Sequence, residues 1–276
     1  MKESLARIRQ LDQPTIHSNF EQESRQAISR IRDSSTSKAS RVDSALQNTF
    51  VIIPMLNEAG SIQSVLSDLP NVAEVVVVDN GSTDNSPALA EAFGATVIRE
   101  SRRGYGQACL AGISYVSSRV ADPDRAIVAF IDGDYSDHPD ELGKLIEAMV
   151  ENGRDFVIGS RSTGEREAGA MHFQAIFGNW LACSLMRLFW GAKFTDLGPF
   201  RAIRFNSLQN LEMADTNFGW TIEMQIKAVG KRLRIQEVPV SYRCRIGKSK
   251  ISGTISGSIK AGYKILYTIF KFRLCK

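Results

Sequence analysis

Five short apolar runs, each stopped by a polar turn, constrain this chain more than any other feature. They are residues 50–53 (FVII), 74–78 (EVVVV), 95–98 (ATVI), 126–131 (AIVAFI) and 156–158 (FVI). Runs this short, rich in Val and Ile and without polar alternation, belong to strands buried on both faces. Residues 58–69, 84–93 and 139–150 read as helices, and a turn with Gly104 and Gly106 leads into another that ends near Arg119. Strand–helix alternation predicts an α/β fold, a Rossmann-like, mostly parallel sheet flanked by helices. In such sheets ligands gather beyond the carboxyl ends of the strands. Polar residues collect there: Asn57 and Glu58 after the first strand, Asp79 after the second, Asp132 and Asp134 after the fourth, Arg161 after the fifth. Neither G-x-G-x-x-G nor a Walker motif follows any strand, which argues against dinucleotide and P-loop sites.

Asp132-Gly133-Asp134 directly follows the run 126–131. Two carboxylates on alternate residues at the end of a buried strand are costly unless positive charge joins them. Oxygen ligands suit Mg²⁺ or Mn²⁺, and such an ion commonly holds phosphate groups as well. A solvated Asp-Gly turn is the simpler alternative, and the motif alone leaves it open.

The 276 residues, 43% hydrophobic and 23% charged, suit a globular protein. The net charge of +4 is unevenly spread: residues 231–276 carry twelve Lys/Arg against one acid, Glu237, while the rest has 22 basic and 29 acidic residues. A tail with that bias implies an anionic partner, whether phosphate, nucleic acid or lipid surface. Nucleic acid is disfavoured, because no aromatic-basic recognition motif accompanies the charge. The four cysteines lack C-x-x-C spacing, so neither a zinc site nor a redox pair is suggested. Residues 1–47 read as a polar, flexible extension, with a short amphipathic patch at Leu5, Ile8 and Leu11, a linker over 33–44 and no secretory signal. Residues 48–250 form the main domain. Residues 168–186 lack formal charge but include His172, Gln174, Gly178 and Asn179, so they predict a helix buried in protein or resting on a membrane. Residues 251–276 predict a basic amphipathic helix. On a wheel, Lys260, Lys264 and Lys271 share one face, and Ile255, Ile259, Leu266, Ile269 and Phe270 lie opposite. That pattern fits an anionic membrane surface, or ordinary packing on the sheet.

Three segments occur in order: Pro54-Met55-Leu56-Asn57-Glu58, then Val76-Val77-Val78-Asp79-Asn80-Gly81-Ser82-Thr83-Asp84, then Asp132-Gly133-Asp134. Together they resemble the family 2 glycosyltransferases with the GT-A fold, over residues 49–250. Three further segments look most like those of the dolichyl- or polyprenyl-phosphate sugar synthases. These are Val157-Ile158-Gly159-Ser160-Arg161, Thr195-Asp196-Leu197-Gly198-Pro199-Phe200-Arg201 and Arg245-Ile246-Gly247-Lys248-Ser249-Lys250.

The resemblance implies a metal-dependent, inverting hexosyltransferase. It would use a UDP-glucose or GDP-mannose type of donor and a polyprenyl or dolichyl phosphate acceptor, with Mg²⁺ or Mn²⁺ as cofactor. It implies a cytoplasmic protein, peripheral at the inner face of a membrane, and leaves oligomerisation open. Pro54, Asn57, Glu58, Asp79, Gly81, Ser82, Arg103, Gly104, Asp132 and Gly133 would bind the nucleotide sugar. Asp132 and Asp134 would hold the metal. Relatives often read D-x-D-x-Q, and here Ser136 stands at the Gln position, with Asp137 as a fallback. Arg161 and Arg245 would grip the acceptor phosphate, since guanidinium binds phosphate as a fork. Lys248, Ser249 and Lys250 would close on it as a lid. Asp196 would orient the site, act as a base or cap its segment. Trp220 would stack on sugar or acceptor, or fill the core, and Glu223 would support the acceptor side. A phosphate acceptor is already ionised near neutral pH and needs no strong base. Two rivals remain at this level. One is a family 2 enzyme using a soluble or glycolipid hydroxyl acceptor; the other is a non-catalytic nucleotide-sugar-binding membrane scaffold.

Overall fold

A computed structural model of the chain describes residues 36–247 and 255–274. Chain contacts divide it into a unit ending at Asp43 and a unit from Ser44 to Lys276. The described part of the first unit, residues 36–43, is helical and belongs to α1 (residues 36–46). The linker reading of 33–44 therefore gives way to helix from residue 36. The stretch contains neither Gly nor Pro to break a helix, and Leu46 at its end is buried.

The second unit alternates strands and helices in the predicted order. β1 (Thr49–Met55), α2 (Ile62–Asp68), β2 (Glu74–Asp79), α3 (Ser86–Ala92), β3 (Thr96–Arg99), α4 (Tyr105–Arg119) and β4 (Ile127–Phe130) come first. After a 3₁₀ turn at Pro139–Glu141 come α5 (Leu142–Glu151), β5 (Phe156–Ser160), α6 (Phe173–Trp190), β6 (Arg201–Arg204), α7 (Phe205–Leu211), α8 (Trp220–Gly230), β7 (Ile235–Pro239) and α9 (Ile255–Leu274). The seven strands form one sheet in the order β3-β2-β1-β4-β6-β5-β7. β6 runs antiparallel to β4 and β5, and the other pairs are parallel. The sheet is thus mostly parallel, as the apolar runs predict.

β6 and β7 escape sequence reading for a physical reason. β6 is four residues with an arginine at each end, and β7 is half-polar, IQEVP. Neither resembles an apolar run. Pro54 lies inside β1, where the missing N–H points toward β4. The β1–β4 ladder reaches only to Ile52, so the proline costs no ladder bond there.

Ile52, Val76, Val78, Val128 and Phe156 join Ala108, Val116, Trp220 and Met224 in the main core. α4 lies so close to the sheet that a Cβ on Gly112 would meet the Ile52 side chain at 2.6 Å. A smaller core joins α6, α8 and α9 through Ala182, Met186, Ile222, Ile226 and Ile269. Each such aliphatic side chain contributes about 1.5–3 kcal/mol on full burial. Here the wheel expectation for the C-terminal helix is corrected. Ile269 faces α6 and α8, not a membrane, and Lys264 lies 2.9 Å from Asp215. The alternative of packing on the sheet is replaced by packing on two helices. Among the described residues no helix is long and apolar enough to cross a membrane.

Candidate active site

Asp132 and Asp134 follow β4 and lie on a cleft of about 350 Å³ beyond the carboxyl edge of β1, β2 and β4. Asp132 is half-buried, and Tyr105 Oη donates to its Oδ1 at 3.0 Å. Burial, followed by the charge of Asp134, pushes its carboxyl up to about 7. Asp134 accepts at Oδ1 from the Ser136 backbone N–H (2.9 Å) and hydroxyl (2.5 Å). Its Oδ2 lies 3.0 Å from Arg245 Nη2, which is also 3.4 Å from Glu58 Oε1. The chain itself holds Arg245 there: Ile246 N–H donates to the Asp134 carbonyl, and Arg243 N–H to the Ser136 carbonyl, both at 3.0 Å. A guanidinium therefore stands beside the carboxylate pair, where positive charge is needed.

The pair suits a divalent cation that takes its other ligands from phosphate and water. Mg²⁺ in particular is usually bound by one or two carboxylates plus substrate phosphates. Among the described residues, no further carboxylate, histidine or thiolate completes a metal-binding cluster. The Ser136 hydroxyl is turned onto Asp134. Asp137 is buried with neither oxygen hydrogen-bonded, and burial, reinforced by Asp132, pushes its carboxyl well above the usual range. Burial and the neighbouring Asp132 disfavour its charged form, which makes it a poorer ligand than the Asp132–Asp134 pair.

The walls of this cleft are short-range constructions. Asn57, in the left-handed region at φ 52°, braces the first loop against the next: its N–H donates to Ser82 Oγ (2.9 Å) and its Oδ1 accepts from Thr83 N–H (2.7 Å). Asp79 Oδ1 accepts from Ser82 N–H at 2.8 Å, a side-chain bond that closes the turn after β2. Pro54, Glu58, Arg103, Gly104 and Gly133 line the main cleft, while Asp79, Gly81 and Ser82 line a polar cleft shared with Asp84, Arg99 and Glu100. Asn57 lines neither. Asn80, quoted within a motif but given no role by sequence reading, organises the wall. Its Oδ1 accepts from Gly104 N–H (2.8 Å), and its Nδ2 donates to the carbonyls of Glu100 (3.0 Å) and Arg102 (2.8 Å). Arg103 Nη1 donates to the Asn80 carbonyl at 2.8 Å. Gly104 has φ 146°, and a Cβ there would strike the Thr216 carbonyl, so this junction admits only glycine. Tyr105 and Phe218 were also missed. Tyr105 is the first residue of α4, and the adjacent glycines are the signal that could have found it.

A second cavity of about 280 Å³ adjoins the first, sharing Tyr105, Asp132 and Phe218. Its lining is largely apolar, with Met171, Ala175, Leu197, Pro199 and Ile265, and Arg161 faces Asp132 among a few polar residues such as Gln174 and Asn179. Asp196 is fully buried and holds Arg161 as a fork: Nε donates to Oδ2 (2.8 Å), Nη2 to Oδ1 (2.7 Å) and the backbone N–H to Oδ2 (2.8 Å). Burial alone would raise the Asp196 carboxyl, but the Arg161 charge and hydrogen bonds outweigh it and hold it below the ordinary range. With both oxygens committed, Asp196 is an orienting group and a poor base. Its loop is clamped from elsewhere. Glu237 accepts from Thr195 and Asp196 N–H, Asn179 Oδ1 from Leu197 N–H, and Gln225 Nε2 donates to the Asp196 carbonyl. Arg201 is buried beneath, donating to the carbonyls of Leu197, Gly198 and Thr221; burial lowers it to about 10, still cationic at neutral pH.

Trp220 touches this cavity but is 1% exposed and packs edge-on against Phe130 at 5.9 Å, so it takes the core option of the two that the sequence leaves open. Glu223 lines neither cavity. It accepts from Asp215 N–H at 2.7 Å and pairs with Lys227 at 2.8 Å, bracing the loop before α8. Lys248, Ser249 and Lys250 lie outside the described residues.

Residues 50–212, which carry most of the lining of both cavities, match the family described as "Glycosyl transferase family 2". The chain belongs to the family 2 glycosyltransferases. An uncharacterised glycosyltransferase of Mycobacterium tuberculosis is 35% identical over 76% of this chain and 93% of its own length. A dolichyl-phosphate hexose transferase of Haloferax volcanii is 32% identical over 81% of this chain and 95% of its own. A polyprenol monophosphomannose synthase of Mycolicibacterium smegmatis is 27% identical over 75% and 82%, respectively. Among solved structures, the GT-A fold recurs in glucosyl-3-phosphoglycerate synthase of Mycobacterium tuberculosis, crystallised with Mn²⁺, UDP and glucosyl-3-phosphoglycerate. It has a TM-score of 0.66 at 22% identity, covering 84% of this chain and 82% of that one.

Proposed function

We propose that this family 2 glycosyltransferase transfers a hexose, with inversion, from a UDP- or GDP-sugar to a polyprenyl phosphate, working as a peripheral protein on the cytoplasmic face of a membrane. One observation carries the reading: two adjoining cavities meet at Asp132, the first holding the carboxylate pair and Arg245, the second more apolar and holding Arg161. The first is walled by polar loops at strand ends and suits a nucleotide sugar. The second is the more apolar of the two, with Arg161 its one strong base among a few polar residues, and suits an acceptor with a phosphate head and a hydrocarbon body.

On the donor side, Asp132 and Asp134 would hold Mg²⁺ or Mn²⁺. When bound, the ion neutralises charge growing on the leaving nucleoside diphosphate. The rest is the work of side chains. Tyr105 fixes the orientation of Asp132. Arg245, expected from the sequence on the acceptor phosphate, lines the first cavity beside Asp134 instead, and there it is positioned for donor phosphate oxygens. On the acceptor side, Asp196 presets the Arg161 guanidinium, leaving Nη1 without a hydrogen bond to any described residue. The acceptor phosphate, already anionic, attacks the anomeric carbon from the face opposite the leaving group. A committed Asp196 agrees with a reaction that needs orientation more than a base. The names of the Haloferax and Mycolicibacterium relatives support the lipid-phosphate acceptor.

The test is transfer from radiolabelled UDP- and GDP-hexoses to polyprenyl phosphate in detergent, with Mg²⁺ or Mn²⁺ against chelator. A mild-acid-labile lipid product that disappears in Asp134→Ala is expected. Transfer confined to soluble or hydroxyl-bearing glycolipid acceptors would replace the acceptor assignment. Nucleotide-sugar binding without turnover on a broad acceptor panel would favour a scaffold.

A further inference from the structure

α6 is turned the wrong way round for a helix on a globular domain. Its inward side is made of small and medium residues such as Ala182 and Met186. Its outward side carries Phe173 (77% exposed), Phe177, Trp180 (60%) and Leu188. Phe173, Phe177 and Trp180 follow the i, i+4, i+7 spacing of one helical face. α9 repeats the arrangement: Ile265, Ile269 and Phe272 pack inward, while Tyr263 (70%), Tyr267, Phe270 and Leu274 (78%) point out. The two helices pack on each other, with the Phe189 and Phe270 rings 5.8 Å apart. Helices on soluble domains normally turn their apolar stripe to the core, and exposed contiguous apolar patches mark interaction sites.

We propose that the outward faces of α6 and α9 together form the surface on which this protein docks to an anionic lipid bilayer. Charge selects this occupant. Neither helix contains an Asp or Glu, and exposed Arg187, Lys260, Lys271 and Arg273 flank the aromatic stripes. Trp and Tyr beside Lys and Arg suit the boundary between headgroups and acyl chains. A second copy is a poorer occupant, because a two-fold interface would bring like-charged flanks together. This surface differs from the one the sequence wheel suggests, since Ile269 is spent on internal packing.

The docking face also has a purpose, which rests on the lipid-phosphate reading. Gln174, Ala175 and Gly178 of α6 and Ala261 and Gly262 of α9 line the second cavity. In α6 they alternate in sequence with the exposed aromatics, and in α9 they directly precede Tyr263. Seating the stripes at headgroup depth brings the cavity to the membrane surface, so a lipid-borne phosphate can slide sideways toward Arg161.

The test is co-sedimentation of the full chain with vesicles of equal parts phosphatidylcholine and phosphatidylglycerol. Two double variants, Phe177→Ser/Trp180→Ser and Tyr263→Ser/Tyr267→Ser, are compared with the parent; their altered side chains are exposed, and unfolding is checked by melting. Each is expected to lower vesicle partitioning by more than about tenfold, and Asp134→Ala to bind like the parent. Binding to pure phosphatidylcholine should be weaker. Full vesicle binding by both double variants, or none by the parent at low salt, overturns the proposal. So does a parent dimer that these variants dissociate without any effect on vesicles, which assigns the face to self-association. Failure of the acceptor reading looks different: vesicles are still bound through the stripes, but no polyprenyl phosphate is glycosylated.

Discussion

The proposed donor and acceptor halves of the site treat a carboxylate in opposite ways. Asp132, on the proposed donor side, is half-buried beside Asp134, and its carboxyl rises to about 7. Asp196, on the proposed acceptor side, is more deeply buried, yet it grips Arg161 through three hydrogen bonds and falls below the ordinary range. One half has its counter-charge built in. The other keeps part of the demand for a ligand to satisfy. This is the difference between a scaffold for orientation and a seat for a cation.

Removing the donor-side acid breaks the comparison most sharply. Asp134→Ala should lower transfer by roughly a thousandfold or more, the order expected for losing charge stabilisation at a leaving group, with little change in melting temperature. On the acceptor side the cost should move from activity to stability. Arg161→Ala strands the fully buried Asp196, and breaking such a pair costs about 3–5 kcal/mol; urea unfolding reads it. Arg161→Lys keeps the charge and loses the fork, and should raise the acceptor KM more than it lowers kcat.

The two acids should also give pH effects of opposite sign in chelator. Folding raises the Asp132 pKa, so its contribution to stability is full below the unfolded value near 4 and is lost as pH rises through about 7. Asp132→Asn should flatten the decline in stability between pH 5 and about 8. Folding lowers the Asp196 pKa, so its contribution is present above the unfolded value and is lost as pH falls through the native one. Asp196→Asn should blunt the acid limb instead. The smallest effect is expected at Asn80. Asn80→Ala removes three side-chain hydrogen bonds from the wall of the first cavity and should cost about 1–3 kcal/mol, with a raised donor KM and an unchanged acceptor KM.

The same contrast governs what could be read in the sequence. Donor-side residues sit at the ends of apolar runs, so their positions follow from strand chemistry: Asp79 closes β2, and Asp132 and Asp134 follow β4. Even so, Asn80 and Tyr105 were missed, because their partners lie twenty or more residues away. The acceptor half is almost wholly non-local. Arg161 meets Asp196 across 35 residues, and Asp196 is clamped by Glu237 across 41 more. No spacing rule encodes such contacts. The short, charged β6 carries no apolar signal, yet it occupies the middle of the sheet. For α9, a wheel shows that one face is apolar, but not that Ile265 and Ile269 pack inward while Tyr263 and Tyr267 face out.

Calorimetric binding of UDP and GDP, with Mn²⁺ and in chelator, tests the carboxylate seat most directly. For the parent protein, Mn²⁺ should tighten the better nucleotide by more than about tenfold, and Asp132→Asn/Asp134→Asn should show no such gain. Equal tightening in the double variant, or none in the parent, would contradict a cation held by Asp132 and Asp134 under the donor diphosphate.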